Sequence, residues 1–196
     1  MYGTGLRTLS IATAVTLTVA FALVFFYAPL DADQGFVQKI FYIHVPLAIV
    51  SLCGFILGVG VLITGSIWAR ASWGHWWVWD EPTLVSFLII FLLYACYQPL
   101  RFSIEDPDKQ ARYAAVFAIL AGAFVPLNFL AVRLAQPLAH PRVLGASGNL
   151  PSSMEFVFLV SLAGMVLLFI TLWRYEMAAK QTRMRLKSLR QRLLSS

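Results

Sequence analysis

Charged residues are scarce in this sequence, making up 12% of its 196 residues, whereas hydrophobic residues make up 60%. Soluble globular domains carry charge on about a quarter of their residues. The composition therefore excludes an ordinary soluble enzyme or binding module. It indicates instead a protein that passes several times through a lipid bilayer.

Cysteine and histidine are also rare, with two cysteines and three histidines in the whole chain. Cys53 and Cys96 lie far apart inside apolar runs, and neither belongs to a C-x-x-C or C-x-x-C-H motif. This pattern argues against thiol exchange and excludes covalent attachment of a c-type haem to the chain itself. Each cysteine is expected to be a small buried hydrophobic residue.

Long apolar runs are what the sequence does have, and a membrane-spanning helix needs roughly 20 such residues. Five runs qualify: Leu9–Leu30, Ile43–Trp68, Thr83–Leu100, Ala111–Val132 and Met154–Trp173. The first run has no clear small-residue cleavage site, so a retained helix is expected and not a signal peptide. We predict an all-α integral membrane protein, a bundle of about five transmembrane helices over residues 1–173.

The chain ends in a basic tail, residues 174–196, which holds seven basic residues and one acidic residue. The eight basic and eight acidic residues elsewhere cancel, so the tail supplies the whole net charge of +6. Lys and Arg are enriched on cytoplasmic flanks, which predicts a cytoplasmic tail and no nucleic-acid partner. Leu186, Leu189 and Leu193 have helical spacing, predicting an amphipathic helix on the membrane surface or a partner.

The most unusual stretch is Trp73–Pro82, which reads WGHWWVWDEP and contains four of the six tryptophans. Tryptophan is enriched at membrane interfaces, so an aromatic belt is one interpretation. A belt needs only one or two indoles at each helix end. Four indoles beside a glycine and a carboxylate favour a flat aromatic surface suited to a large planar ligand.

The pattern W-G-x-x-W-x-W-D in this stretch resembles the "WWD" segment of haem-handling proteins of cytochrome c maturation. The resemblance extends over Phe41–Pro46 (FYIHVP) and Thr64–Trp79 (TGSIWARASWGHWWVW). Among these proteins the short chain is most similar to the CcmC family, more than to the longer CcmF and CcsA. This resemblance implies a bacterial inner-membrane protein that holds haem b at the outer face and passes it to the haem chaperone CcmE. It also implies CcmD, CcmA and CcmB as partners.

The resemblance implies a set of site residues. His44 and His140 are the expected axial ligands of the haem iron, while His75 lies at a variable position of the motif. Lys39 and Arg142 are expected to face the propionates, with Arg70 and Arg133 as alternative cations. The ring would lie on the tryptophan segment, comprising Trp73, Gly74, Trp76, Trp77, Trp79 and Asp80. Asp80 is expected to cap a helix, to orient the tryptophan loop by hydrogen bonding, or to contact a partner.

Two arguments place His44 differently. If Ile43–Trp68 is a single crossing, His44 lies on the opposite face from Trp73, and the N-terminus is external. The family has six helices, with both histidines and the tryptophans on the outer face. We follow the resemblance, which requires Ile43–Trp68 to tilt, break at its glycines or re-enter the membrane, or a displaced first helix to carry His44 back.

Three other functions stay open at this stage. A CcsA-like or CcmF-like cytochrome c haem lyase would use further histidines inside the membrane. A small-molecule transporter would show intramembrane charges and internal repeats. A degenerate homologue would assemble with a partner without binding haem, because the family's arginine shortly after the W-D pair is replaced by Glu81-Pro82.

Overall fold

The computed structural model describes residues 3–52, 54–135 and 150–195, and all of its regular structure is helical. The helices are α1 (Thr4–Ala22, followed by a π-helical turn over Leu23–Tyr27), α2 (Phe41–Ser51, preceded by a 3-10 turn over Phe36–Ile40), α3 (Phe55–Trp73), α4 (Pro82–Phe102), α5 (Pro107–Leu134) and α6 (Ser152–Ser195). No β-strand occurs in these ranges. The predicted all-α class is confirmed.

Five helical segments are long and apolar enough to cross a membrane: Thr4–Tyr27, Phe55–Trp73, Pro82–Phe102, Pro107–Leu130 and Ser152–Leu194. The number of helices that could span a membrane by length and composition therefore agrees with the prediction. The expected second span, Ile43–Trp68, is wrong in its bounds because the chain breaks between Ser51 and Phe55.

Helices α2 and α3 form an antiparallel hairpin. The rings of Phe41 and Trp68 lie 6.4 Å apart. Nδ1 of His44 lies 3.0 Å from Oγ1 of Thr64, and the side chain of Leu47 packs against Gly60. The residue numbers of the partners in α3 thus decrease as those in α2 increase, which is the pattern of two antiparallel helices. The chain reverses around Gly54, and His44 lies at the same end of the hairpin as Trp68.

The hairpin removes the conflict over His44. The 11 residues of α2 extend about 16 Å, roughly half the hydrocarbon thickness. Helix α3 runs back along α2, so the assumption of one uninterrupted helix between His44 and Trp73 is wrong. A break at the glycines, one of the possibilities that the family resemblance required, is what the structure has.

The turn between α2 and α3 depends on a contact from α4. The Tyr94 hydroxyl donates a 2.6 Å hydrogen bond to the Leu52 carbonyl. Non-helical backbone at membrane depth is tolerated only where its polar groups find partners in the protein or line a water-filled cavity. Tyr94 therefore supplies the hydrogen bond that the break in the helix requires.

Tyr94→Phe is expected to lower the free energy of unfolding by about 1–2 kcal/mol, because a carbonyl loses its partner. The measurement is unfolding of the detergent-solubilised protein, followed by tryptophan fluorescence. Tyr97→Phe, three residues along the same helix, is the matched control, since its hydroxyl only accepts a 3.3 Å contact from exposed Arg101. Equal losses in the two variants would contradict the capping role.

Helices α4 and α5 form a second hairpin. At the turn, Oδ1 of Asp106 accepts hydrogen bonds from the backbone N–H groups of Asp108 and Lys109, at 2.9 and 3.1 Å, which is a helix cap. Deeper in the pair, Nδ2 of Asn128 donates to Oγ of Ser86 at 2.9 Å. Pro126 lies inside α5 and does not end it, since the helix continues to Leu134.

The chain divides into two compact units, one made of Leu30–Pro151 and the other of Met1–Pro29 with Ser152–Ser196. In the second unit α1 and α6 are antiparallel. Oγ1 of Thr13 lies 2.8 Å from Oγ1 of Thr171, and the rings of Tyr27 and Phe156 lie 6.2 Å apart. The start of α1 is therefore at the same end as the basic tail. An N-terminus opposite the tail, as the count of crossings predicted, is wrong.

Helix α6 continues past the apolar span without a break and ends at Ser195. The described part of the tail is thus helical, as the leucine spacing predicted. Leu186, Leu189 and Leu193 are exposed. The division into a haem-handling domain over residues 1–173 and a cytoplasmic tail over 174–196 stays a prediction.

Candidate functional site

The tryptophan segment begins with a glycine turn at the end of α3. Gly74 has φ +78°, and its N–H donates to the Arg70 carbonyl at 3.2 Å. The Arg70 guanidinium donates to the Gly74 carbonyl and lies 6.0 Å from the centre of the Trp76 ring. Arg70, an alternative propionate cation by sequence, therefore stabilises the turn that starts the segment.

Gly74→Ala is expected to destabilise the folded protein by about 1–2 kcal/mol, because a left-handed conformation strains any residue with a Cβ. A Cβ at Gly74 would meet no atom within 4 Å, so the loss would come from the backbone alone. Gly122→Ala, in an equally open position inside α5, is the control and is expected to be neutral or stabilising. Thermal unfolding in detergent compares the stability of the two variants with that of wild type. A Gly74→Ala variant as stable as wild type would contradict the turn's dependence on glycine.

The four indoles differ in exposure and orientation. Trp76 and Trp79 expose 61% and 71% of their surface, whereas Trp73 and Trp77 are half-buried. The rings of Trp77 and Trp79 lie 6.0 Å apart at an angle of 62°. The expectation of one flat aromatic surface is wrong, because the two rings meet edge to face.

The segment ends at the N-terminus of α4, where the cap is Glu81 and not Asp80. Glu81 is fully buried, and its Oε1 accepts a 3.4 Å contact from the Thr83 N–H. Pro82 occupies the first turn, where a missing N–H does no harm. Asp80 is exposed. Of its expected roles, helix capping is wrong.

His44 lies on α2 against one face of α3 and is only 6% exposed. Its Nδ1 is hydrogen-bonded to Oγ1 of Thr64 at 3.0 Å, and its ring meets the Trp68 ring edge to face at 5.6 Å. Nε1 of Trp68 donates in turn to Oε1 of Gln34 at 3.1 Å. His44 is therefore a fixed part of the hairpin interface.

His44 and Trp77 line one apolar cavity of about 130 Å³. The other lining residues are Val45, Ala48, Ile49, Val61, Leu62, Gly65, Thr83, Leu84 and Phe87. Nε1 of Trp77 is buried and has no hydrogen-bond partner among the described residues. An unpaired buried donor is costly, so this N–H group is available to a ligand. The cavity joins the two sequence motifs that predicted a site.

The remaining predicted site residues have separate environments. Lys39 is buried, with its Nζ 5.6 Å from the centre of the Phe36 ring. His75 is exposed. His140 and Arg142 lie outside the described residues. The structure thus brings His44 together with Trp77 and leaves the positions of the second predicted ligand and of Arg142 as predictions.

Sequence reasoning gave no individual role to Thr64, Gly65 or Trp68, although their motif carried part of the resemblance. Thr64 and Trp68 are four residues apart, a spacing that places two side chains on the same face of a helix, and Gly65 follows Thr64 directly. That spacing opposite a buried histidine is the signal that was available. The spacing can be interpreted only when the antiparallel α2–α3 hairpin is known.

These features define a helical membrane protein with a histidine and a tryptophan motif joined in one apolar cavity. Residues 53–192 match the family described as "CcmC: Heme exporter protein C". The chain belongs to this family, and the matched range includes the whole tryptophan segment.

Three relatives named "Heme exporter protein C" illustrate the similarity. The Rhodobacter capsulatus protein is 29% identical over 92% of this chain and 88% of the relative. The Bradyrhizobium diazoefficiens protein is 32% identical over 83% of this chain and 73% of the relative. The Escherichia coli K12 protein is 28% identical over 84% of this chain and 78% of the relative.

Proposed function

We propose that this chain binds haem b at the outer face of the bacterial inner membrane and delivers it to a haem chaperone for c-type cytochrome maturation. Membership of the Heme exporter protein C family supports the haem-export role. The observation that carries the proposal is the single cavity shared by His44 and Trp77. An imidazole is a common axial ligand of haem iron, and aromatic side chains pack well on a flat apolar ring; this cavity offers both.

His44 is the proposed axial ligand from the hairpin, and His140 is the proposed second ligand. Trp77 would contact the ring face, and its unpaired Nε1–H would donate to a polar group of the ligand. Lys39 and Arg142 are the proposed cations for the propionates. Trp73, Trp76, Trp79, Gly74 and Asp80 would shape the tryptophan segment around the ring.

The size of the cavity limits how haem can bind. Pockets that enclose a drug-sized ligand measure about 300–1,000 Å³, so a cavity of about 130 Å³ cannot hold the whole macrocycle. We therefore propose that the ring lies across the mouth of the cavity, next to the exposed Trp76 and Trp79. A ring in that position is accessible to a partner, which delivery requires.

Partners follow from the family resemblance. We propose a CcmE-type chaperone as the acceptor of haem and CcmD, CcmA and CcmB as assembly partners. The lettered name of the relatives supports an assembly with other Ccm components. Exposed tryptophans beside a carboxylate, Asp80, offer a mixed apolar and acidic surface for the chaperone.

A second candidate is a homologue that assembles with these partners but does not bind haem. The small cavity favours it, as does a fully buried Glu81 beside the position where the family has a cation. Titration of the purified full-length protein with hemin separates the two. The main proposal predicts saturation at a single haem with a low-spin Soret spectrum, and a titration without specific binding would support the second candidate.

The proposed orientation places the tail in the cytoplasm and the tryptophan segment outside. In a background without cysteines, Asp33→Cys in the loop before α2 is expected to react with an impermeant maleimide in intact cells. Ser103→Cys in the turn before α5 and Ser188→Cys in the tail are the matched controls. They are expected to react only after permeabilisation, and the reverse pattern would contradict the orientation.

A further inference from the structure

The side of α3 that faces His44 is built around its imidazole. Oγ1 of Thr64 lies 3.0 Å from Nδ1, and the Trp68 ring meets the imidazole edge to face. A Cβ added at Gly65 would lie 2.7 Å from Cε1 of His44 and 3.4 Å from each ring nitrogen. Only glycine allows the imidazole to lie this close to the helix backbone.

The hydrogen bonds of Thr64 determine which nitrogen of His44 carries the proton. The Thr64 hydroxyl donates within its own helix, to the Gly60 carbonyl at 2.8 Å. With its hydrogen so used, the oxygen is left as an acceptor toward His44, which favours the hydrogen on Nδ1. The lone pair of the neutral imidazole is then on Nε2. Metal-ligating histidines commonly use this arrangement, in which the second nitrogen donates to an oxygen.

We propose that Thr64 and Gly65 are positioning residues, which hold His44 as the Nδ1–H tautomer with its ring fixed against α3. For iron ligation the proposal rests on the proposed haem function. The tautomer itself is a property of the protein without haem. The two parts can therefore be tested separately.

The first test reads the tautomer directly. Full-length protein with ¹⁵N-labelled histidine is placed in lipid nanodiscs without haem, at a pH where imidazole is neutral. Only three histidines contribute signals, and His44→Gln assigns one of them. Wild type is expected to show a protonated Nδ1 and an unprotonated Nε2, and Thr64→Val is expected to mix the two tautomers. A protonated Nε2 in wild type, or no change in Thr64→Val, would overturn the proposal.

The second test uses hemin titration of the full-length protein. Thr64→Val keeps the shape but loses the hydroxyl, and is expected to weaken haem binding about 10- to 100-fold. Thr64→Ser keeps the hydroxyl and is expected to bind within a few-fold of wild type. A merely structural role would give the opposite order, with valine harmless and serine harmful, and that result would overturn the proposal.

Gly65→Ala is expected to displace the imidazole and change the spin state of the bound haem. Gly58→Ala on the same helix is the matched control, because its Cβ would meet Phe91 and not His44. Equal spectra for Gly65→Ala and wild type would overturn the role of Gly65. If the tautomer result holds but neither wild type nor any variant binds hemin, the proposed haem function is wrong. The positioning of His44 by Thr64 and Gly65 then still stands.

Discussion

Replacement of His44 by alanine is expected to convert the low-spin spectrum of the haem-loaded protein into a high-spin one. The imidazole is buried, anchored to Thr64, and lines the cavity with Trp77. Alanine offers no nitrogen to the iron, so one axial position is lost. Haem affinity is expected to fall at least about tenfold, which corresponds to about 1.4 kcal/mol. Absorption and electron paramagnetic resonance spectra of the ferric protein make the measurement.

The other two histidines provide the comparison. His75→Ala is the matched control, because His75 is exposed within the tryptophan segment, and its spectrum is expected to equal that of wild type. His140→Ala is expected to behave like His44→Ala, and the double variant is expected to lose haem. An unchanged low-spin spectrum in His44→Ala, together with a changed one in His140→Ala, would rule out bis-histidine ligation.

The all-α class and the number of helices long enough to span a membrane could be predicted from the sequence, but the α2–α3 hairpin could not. Its reversal lies inside an apolar run, where Ser51 and Gly54 are weak signals of a turn. The carbonyl of Leu52 is paired by Tyr94, which lies 42 positions further along the chain. No local sequence pattern predicts a contact over such a separation along the chain. Gly54 was visible, but a glycine in an apolar run is equally compatible with close helix packing.

The motifs of the site were readable, whereas the roles of single residues in them were not. The sequence predicted that FYIHVP and the tryptophan segment act together, and the structure brings His44 and Trp77 to one cavity. It could not distinguish Trp77 from Trp76, since that depends on how the chain leaves Gly74. The sequence also favoured Asp80 over Glu81 as the cap of α4. Only the backbone after Trp79 decides which carboxylate meets the Thr83 N–H.

Trp77→Ala is expected to weaken haem binding more than alanine at Trp76 or Trp79. Trp77 is the indole that lines the cavity with His44, whereas Trp76 and Trp79 are largely exposed. Losing the contacts of one large side chain costs about 1.5–3 kcal/mol, or about 10- to 100-fold in affinity. Hemin titration of the single variants gives the ranking. Trp173→Ala, an exposed tryptophan in the other unit, is expected to bind haem like wild type.

Trp77→Phe separates the ring from its N–H group. If the ring face alone matters, phenylalanine retains most of the affinity. If the unpaired Nε1–H donates to haem, phenylalanine loses a hydrogen bond, and affinity is expected to fall by a further factor of about 2–10. An aromatic belt predicts a different outcome, because a belt anchors the protein in the bilayer and does not contact haem. Equal haem affinity in wild type, Trp77→Ala and Trp173→Ala would therefore favour the belt and remove Trp77 from the site.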